Sequence, residues 1–69
     1  MNNLLVSLAV ETVDARLENL TAGTCVEVLI HGDEEVVESV LAIYRSRGID
    51  IIYQYEISKE LKSLLVTAS

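Results

Sequence analysis

The only cysteine and the only histidine of this chain, Cys25 and His31, lie in the short segment TCVEVLIHGD. A thiol and an imidazole can form a nucleophilic pair when their heavy atoms come within about 3 Å of each other. The segment is short and rich in β-branched residues, so it predicts a strand, along which the two side chains stand roughly 20 Å apart. They therefore cannot act together within one subunit. We expect Cys25 to be structural and His31 to lie in a turn, with a reactive Cys25 as the alternative.

The acidic segment Asp33-Glu34-Glu35 is the second group that could do chemistry. A metal site needs oxygen ligands that converge from a loop, as in an EF-hand. Here the glutamates begin a predicted helix, on which neighbouring side chains diverge, so we predict neither a metal site nor a cofactor. Asp33 is expected to be the N-cap of that helix. The chain also has no nucleophile elbow, phosphate-binding glycine loop or catalytic carboxylate pair, which favours a protein that is not an enzyme.

The charge of the chain bears on its partners. Eleven acidic residues outnumber five scattered basic ones, and the formal net charge is −6. Binding to nucleic acid usually requires a basic patch, so we predict no nucleic-acid partner and no anionic membrane surface. No apolar run approaches the roughly 20 residues of a membrane span, and the N-terminus lacks the features of a signal peptide. A cytoplasmic protein is the expectation.

The size of the chain predicts one small domain over residues 1–69, with 51% hydrophobic residues. Such a domain is only marginally stable unless its core is well packed or it associates with a partner. Hydrophobic periodicity predicts the order β-α-β-α-β-β. The predicted elements cover residues 2–7, 9–22, 24–31, 33–47, 49–57 and 61–68. Because two helices cannot cover both faces of a sheet, we expect an α/β fold of the α+β two-layer type, with both helices on one face of a four-stranded mixed sheet.

The other face of this sheet is expected to be open. In the segment IDIIYQYEI, the isoleucines and tyrosines at 49, 51, 53, 55 and 57 alternate with polar residues, and only Ile52 breaks the pattern. The residues expected on the open face are Glu27, Leu29, Ile52, Gln54, Glu56 and Leu65. If Leu29, Ile52 and Leu65 are scattered there, they are ordinary exposed aliphatic residues; if they form a contiguous patch, they mark a dimer or partner surface.

Four short segments, in their order along the chain, resemble the TusA/SirA-like sulfur-carrier family. They are Leu20-Thr21-Ala22-Gly23, Gly32-Asp33, Arg47-Gly48 and Tyr55-Glu56. The similarity extends from about Leu4 to Thr67, and it implies the β-α-β-α-β-β fold. Members of that family carry sulfur on the cysteine of a Cys-Pro-x-Pro motif between the first strand and the first helix, where the helix N-terminus favours a thiolate.

The segment that matches this motif is Val6-Ser7-Leu8-Ala9, which contains neither cysteine nor proline. The resemblance therefore implies the fold without the usual sulfur chemistry, and Ser7 is expected to cap the first helix. Our hypothesis is a TusA-like domain that acts as a non-catalytic adaptor or homodimer, with Leu29, Ile52 and Leu65 as its interface. The alternative is a sulfur carrier that uses Cys25.

Overall fold

A computed structural model describes residues 2–69. The chain forms helix α1, strand β1, helix α2 and strands β2 and β3, in that order. Their bounds are Asn3–Glu18, Cys25–His31, Glu34–Ser46, Asp50–Ser58 and Leu61–Thr67. The three strands form one antiparallel sheet in the order β1-β3-β2, so that β3 is central and β1 and β2 are the edges. The protein is an α+β domain.

The predicted four-stranded mixed sheet is wrong. Residues 2–7 belong to the start of α1 instead of forming a first strand, so the order is α-β-α-β-β. The apolar run within this segment, Leu4 to Val6, is too short for its periodicity to separate a strand from a helix. Asn2 decides the outcome, because its side-chain oxygen accepts a hydrogen bond from the backbone N–H of Leu5 at 3.1 Å and so caps α1. Ser7, which we expected to be the cap, lies inside the helix.

Helix α2 begins and ends at clear sequence signals. The carboxylate of Asp33 accepts a hydrogen bond from the backbone N–H of Val36 at 3.1 Å, which makes Asp33 the N-cap. Glu34 and Glu35 occupy the first turn, where negative charge is favourable to the helix dipole. Gly48, at φ 74°, follows the end of the helix. One face of α2 is buried, and its residues are Val36, Val37, Val40, Leu41 and Tyr44.

Two β-bulges change which residues of β2 face the core. The register between β2 and β3 shifts between Tyr53 and Tyr55 and again between Glu56 and Ser58. Each bulge adds one residue to β2 and interrupts the simple alternation of faces. Tyr55 is therefore exposed on the face that the helices leave open, whereas Glu56 pairs with Lys62 on the covered face. The predicted placement of Glu56 on the open face is wrong for this reason.

The core lies between the sheet and the two helices, which cover the same face. Helix α1 packs on β1, α2 packs on β2, and the helices contact each other. The sheet contributes Val28, Ile30, Ile51, Leu64 and Val66, all on the covered face. Helix α1 contributes only two fully buried residues, Ala9 and Val13. The opposite face of the sheet has no helix over it within residues 2–69.

Candidate functional site

The open face carries a hydrogen-bonded group of four side chains at its centre. Oε2 of Glu27 accepts hydrogen bonds from the hydroxyls of Ser63 and Tyr55, the latter at 2.6 Å. The Ser63 hydroxyl also lies 3.0 Å from the side-chain oxygen of Gln54. Ser63 itself has no exposed surface, because its neighbours cover it. We call these four residues, Glu27, Gln54, Tyr55 and Ser63, the Glu27 cluster.

The Glu27 cluster fixes the charge and orientation of its carboxylate. The hydrogen bond from Ser63, and then that from Tyr55, lowers the pKa of Glu27 below its ordinary value. The same contact with Glu27 raises the pKa of Tyr55, because a hydroxyl that donates to a carboxylate resists losing its proton. Glu27 is consequently ionised at neutral pH and is a weak proton acceptor. Since both bonds end on Oε2, Oε1 can still accept a further donor.

Apolar side chains surround the Glu27 cluster in two cross-strand rows. In one row, Leu65 lies between Glu27 and Ile52; in the other, Ser63 lies between Leu29 and Tyr55. Leu29, Ile52 and Tyr55 are each exposed by about half of their surface, at 45%, 47% and 52%. The three aliphatic residues expected at an interface, Leu29, Ile52 and Leu65, thus lie on one face in neighbouring rows.

Cys25 and His31 are the first and last residues of β1, so the structure keeps them at opposite ends of one strand. Cys25 is exposed and lies at the start of a strand, not at a helix N-terminus. No group of three or more histidine, cysteine, aspartate or glutamate residues in the described part of the chain could hold a metal ion. None of the helices within residues 2–69 is long and apolar enough to cross a membrane.

A groove of about 530 Å³ lies between the N-terminal half of α1 and the C-terminal half of β1. Leu5 and Leu8 line it from α1, Leu29 and His31 from β1, and Lys59 from the turn between β2 and β3. Leu29 points to the open face, whereas α1 covers the other face. The groove therefore lies at the C-terminal end of β1, where Gly32 and Glu60 also line it.

Lys62 is buried near the same end of the sheet, with 1% of its surface exposed. Its ammonium donates hydrogen bonds to the backbone carbonyls of Gly32, at 3.0 Å, of Ser58, at 2.9 Å, and of Lys59. Glu56 lies 3.6 Å away and is half exposed. This arrangement satisfies all three protons of the ammonium and joins the end of β1 to the β2–β3 turn. The role of Lys62 is structural.

Sequence reasoning missed Tyr55, Lys62 and Ser63. The available signal was the pair Lys62-Ser63 inside the otherwise apolar segment LKSLLVT, since buried polar residues require partners. The partners themselves are distant in the chain, and the bulge before Tyr55 could not be seen from the pattern alone. Comparison with known proteins adds no assignment, because no protein-family model, curated protein or solved structure matches this chain.

Proposed function

We propose that this domain is a non-catalytic protein-interaction module of the cytoplasm, whose open sheet face binds a partner surface that presents a lysine or arginine among apolar side chains. The observation that supports the proposal is the ionised carboxylate of Glu27, held by Ser63 and Tyr55 at the centre of a largely apolar exposed face. An aromatic residue and a charged acceptor surrounded by aliphatic residues form the kind of site at which binding energy concentrates.

The chemistry of the partner follows from charge and solvation. The acidic net charge of the chain and the low pKa of Glu27 favour a cationic group. Aliphatic residues such as Leu29 and Ile52 would exclude water around the ion pair and so strengthen it. An arginine can donate to the carboxylate through two N–H groups, which adds directional specificity to the attraction.

Sulfur transfer is not part of this proposal. Cys25 lies in β1, and the place that holds the family's motif, between a first strand and a first helix, has no counterpart here because α1 begins at Asn3. The resemblance to the TusA/SirA-like family stays a prediction that no comparison tests. The proposed function rests on the open face instead.

A display selection can test the proposal. A library of small folded binders is selected against the wild-type protein, and each binder is then measured against the variants Glu27→Gln and Ile52→Asp by biolayer interferometry. Glu38→Gln, on the exposed side of α2, is the matched control. We expect the main class of binders to present a lysine or arginine and to lose at least about tenfold in affinity with Glu27→Gln, which corresponds to about 1.4 kcal/mol. Binders that lack basic residues, or that bind Glu27→Gln as well as wild type, would overturn the proposal.

A further inference from the structure

The free edge of β1 has backbone groups that point away from the sheet, and the register identifies them. At one end of the β1–β3 ladder, the backbone N–H of Gly32 donates to the backbone carbonyl of Glu60 at 2.8 Å. At the other end, the backbone N–H of Ala68 donates to the carbonyl of Thr24 at 3.0 Å. Since hydrogen-bonded pairs alternate along an antiparallel ladder, the even-numbered residues of β1 bond to β3. The N–H and carbonyl groups of Glu27, Leu29 and His31 therefore point outward.

The β1 edge is less protected against strand pairing than the β2 edge. It has no proline and no bulge, and its one carboxylate is Glu27, whereas β2 has two bulges. Beside this edge runs the groove under α1, and Leu8, which lines it, is 48% exposed. The adjacent turn of α1 exposes Leu4 as well, at 69%. Leu8, which lines the groove, is the exposed apolar side chain that a fourth strand would meet.

We propose that the β1 edge binds an extended segment of a partner protein, which adds as a fourth, antiparallel strand and places a basic side chain beside Glu27. This inference rests on the proposed function and names the form of the partner. The outward groups of Glu27, Leu29 and His31 can exchange two hydrogen bonds each with such a strand. Alternate side chains of the strand enter the groove and contact Leu5 and Leu8.

The face that each bound residue occupies gives the chemistry of the segment. The residue opposite Ile30 points into the groove, the residue opposite Val28 points to the same face of the sheet, and both should be aliphatic. The residue opposite Leu29 extends the row formed by Leu29, Ser63 and Tyr55 on the open face, and it should also be apolar. The residue opposite Glu27 meets a carboxylate whose Oε1 can still accept a donor, and it should be arginine or lysine. From its N-terminus, the expected segment therefore consists of any residue opposite His31, three aliphatic residues, and a basic residue opposite Glu27.

A second copy of this chain fits the edge less well than a bare strand. Two β1 strands paired with each other would lie about 4.8 Å apart, whereas packed helices need about 8 to 10 Å between their axes. Helix α1 packs directly on β1, so the two α1 helices of such a dimer would collide. A strand that brings no helix over itself avoids this collision.

The test uses a capped, fluorescein-labelled peptide with the core Ser-Val-Leu-Val-Arg, titrated with the full chain and followed by fluorescence anisotropy. We expect saturable binding that falls at least tenfold when the central leucine of the peptide is N-methylated, because the methyl group removes a strand hydrogen bond. Replacing the peptide arginine with glutamate should abolish binding to the wild-type protein. The protein variant Glu27→Lys should bind this glutamate peptide. The protein variant Leu29→Pro removes an outward N–H together with the leucine side chain, so it should weaken binding further than Leu29→Ala, which removes the side chain alone; circular dichroism verifies the fold of both variants.

The outcomes separate this inference from the proposed function. Equal binding of the N-methylated and unmethylated peptides, or absence of binding, overturns strand addition. Selected binders that depend on Glu27 and lose no more affinity with Leu29→Pro than with Leu29→Ala would leave the proposed function intact and contradict strand addition at the β1 edge. Sedimentation velocity of the free protein is the remaining check: a dimer that dissociates with Leu29→Pro but not with Leu29→Ala would show that a second copy occupies the edge, and it would overturn the inference too.

Discussion

At the scale of single residues, two neighbouring polar side chains of β3 form hydrogen bonds on opposite faces of the sheet. Lys62 points to the covered face and donates to three backbone carbonyls, which fixes the turn after β2 against the end of β1. Ser63, the next residue, points to the open face and donates to Glu27. Lys62 therefore stabilises the fold, whereas Ser63 lowers the pKa of Glu27 on the exposed face. Because successive side chains of a strand point to opposite faces of the sheet, two neighbouring residues can act on different faces.

The pH dependence of Glu27 tests the role of Ser63. Ser63→Ala removes the hydrogen bond that contributes most to lowering the pKa of Glu27, so we expect this pKa to rise toward the ordinary value of 4.5. A carboxyl group with a lowered pKa stabilises the folded state above its unfolded pKa, and that stabilisation is lost as the pH falls through the folded value. The variant should therefore lose less of its stability to acid over this pH range than the wild type does.

The measurement is a pH titration of the Glu27 side-chain carboxyl carbon by NMR. Ser46→Ala is the matched control, since the Ser46 hydroxyl donates to the backbone carbonyl of Ile43 at the end of α2. An unchanged Glu27 titration in Ser63→Ala, or an equal shift in Ser46→Ala, would contradict the assignment. Tyr55 reports on the same contact, because its pKa is raised chiefly by the hydrogen bond to Glu27.

At the scale of elements, β1, α2, β2 and β3 could be predicted to within one residue of their observed bounds. Their signals are local: Asp33 caps α2, Gly48 follows its end, and β-branched residues fill the strands. The start of α1 could not be predicted in this way, because its apolar residues surround the helix without one clear stripe. Leu4 and Leu8 are exposed, whereas Leu5 packs against the core. A helix with apolar residues on several sides has no helical period to detect.

The candidate site was predictable in part for a related reason. The faces of Glu27 and Leu29 in the regular strand β1, and of Leu65 in β3, follow from alternation alone, as does that of Ile52, which precedes the first bulge of β2. Tyr55 lies beyond the first bulge, so the same alternation predicts the wrong face for it. Ser63 and Lys62 depend on partners that are 36 and 30 residues distant. Long-range hydrogen bonds of this kind leave no local pattern.

The cap of α1 gives a direct test of the corrected helix start. Asn2→Ala removes the acceptor for the N–H of Leu5, and we expect the free energy of unfolding to fall by about 0.5 to 2 kcal/mol. Ser7→Ala, within the same helix, should be neutral or slightly stabilising, because alanine has the higher helix propensity. Urea denaturation followed by circular dichroism measures both variants. The reverse order of effects would favour a helix that starts at Ser7.

At the scale of the whole molecule, one residue joins the two helices that cover the sheet. The hydroxyl of Tyr44, in α2, lies 2.9 Å from the carbonyl of Val10 and 2.7 Å from the carboxylate of Asp14, both in α1. Burial, and then the contact with Asp14, raises the pKa of Tyr44. Arg47 approaches the same group, with its guanidinium 3.4 Å from Asp14 and 5.1 Å above the tyrosine ring. Helix α1 depends on this contact because it buries only Ala9 and Val13 completely.

Tyr44→Phe should therefore loosen α1 more than the rest of the domain. The substitution leaves the ring in the core but removes the hydroxyl, and we expect a loss of about 1 to 2 kcal/mol in the free energy of unfolding. Native-state hydrogen exchange should show the amides of α1 opening below the global transition, while those of β3 follow global unfolding.

Tyr53→Phe is the matched control, since the Tyr53 hydroxyl donates to the exposed Glu34 at 3.1 Å. This substitution should change the free energy of unfolding by less than about 0.5 kcal/mol. If both variants destabilise the protein equally, or if α1 and β3 exchange together in Tyr44→Phe, the contact between the helices does not anchor α1. The groove beside β1 has α1 as one wall, so a loosened α1 should also weaken binding of the extended peptide.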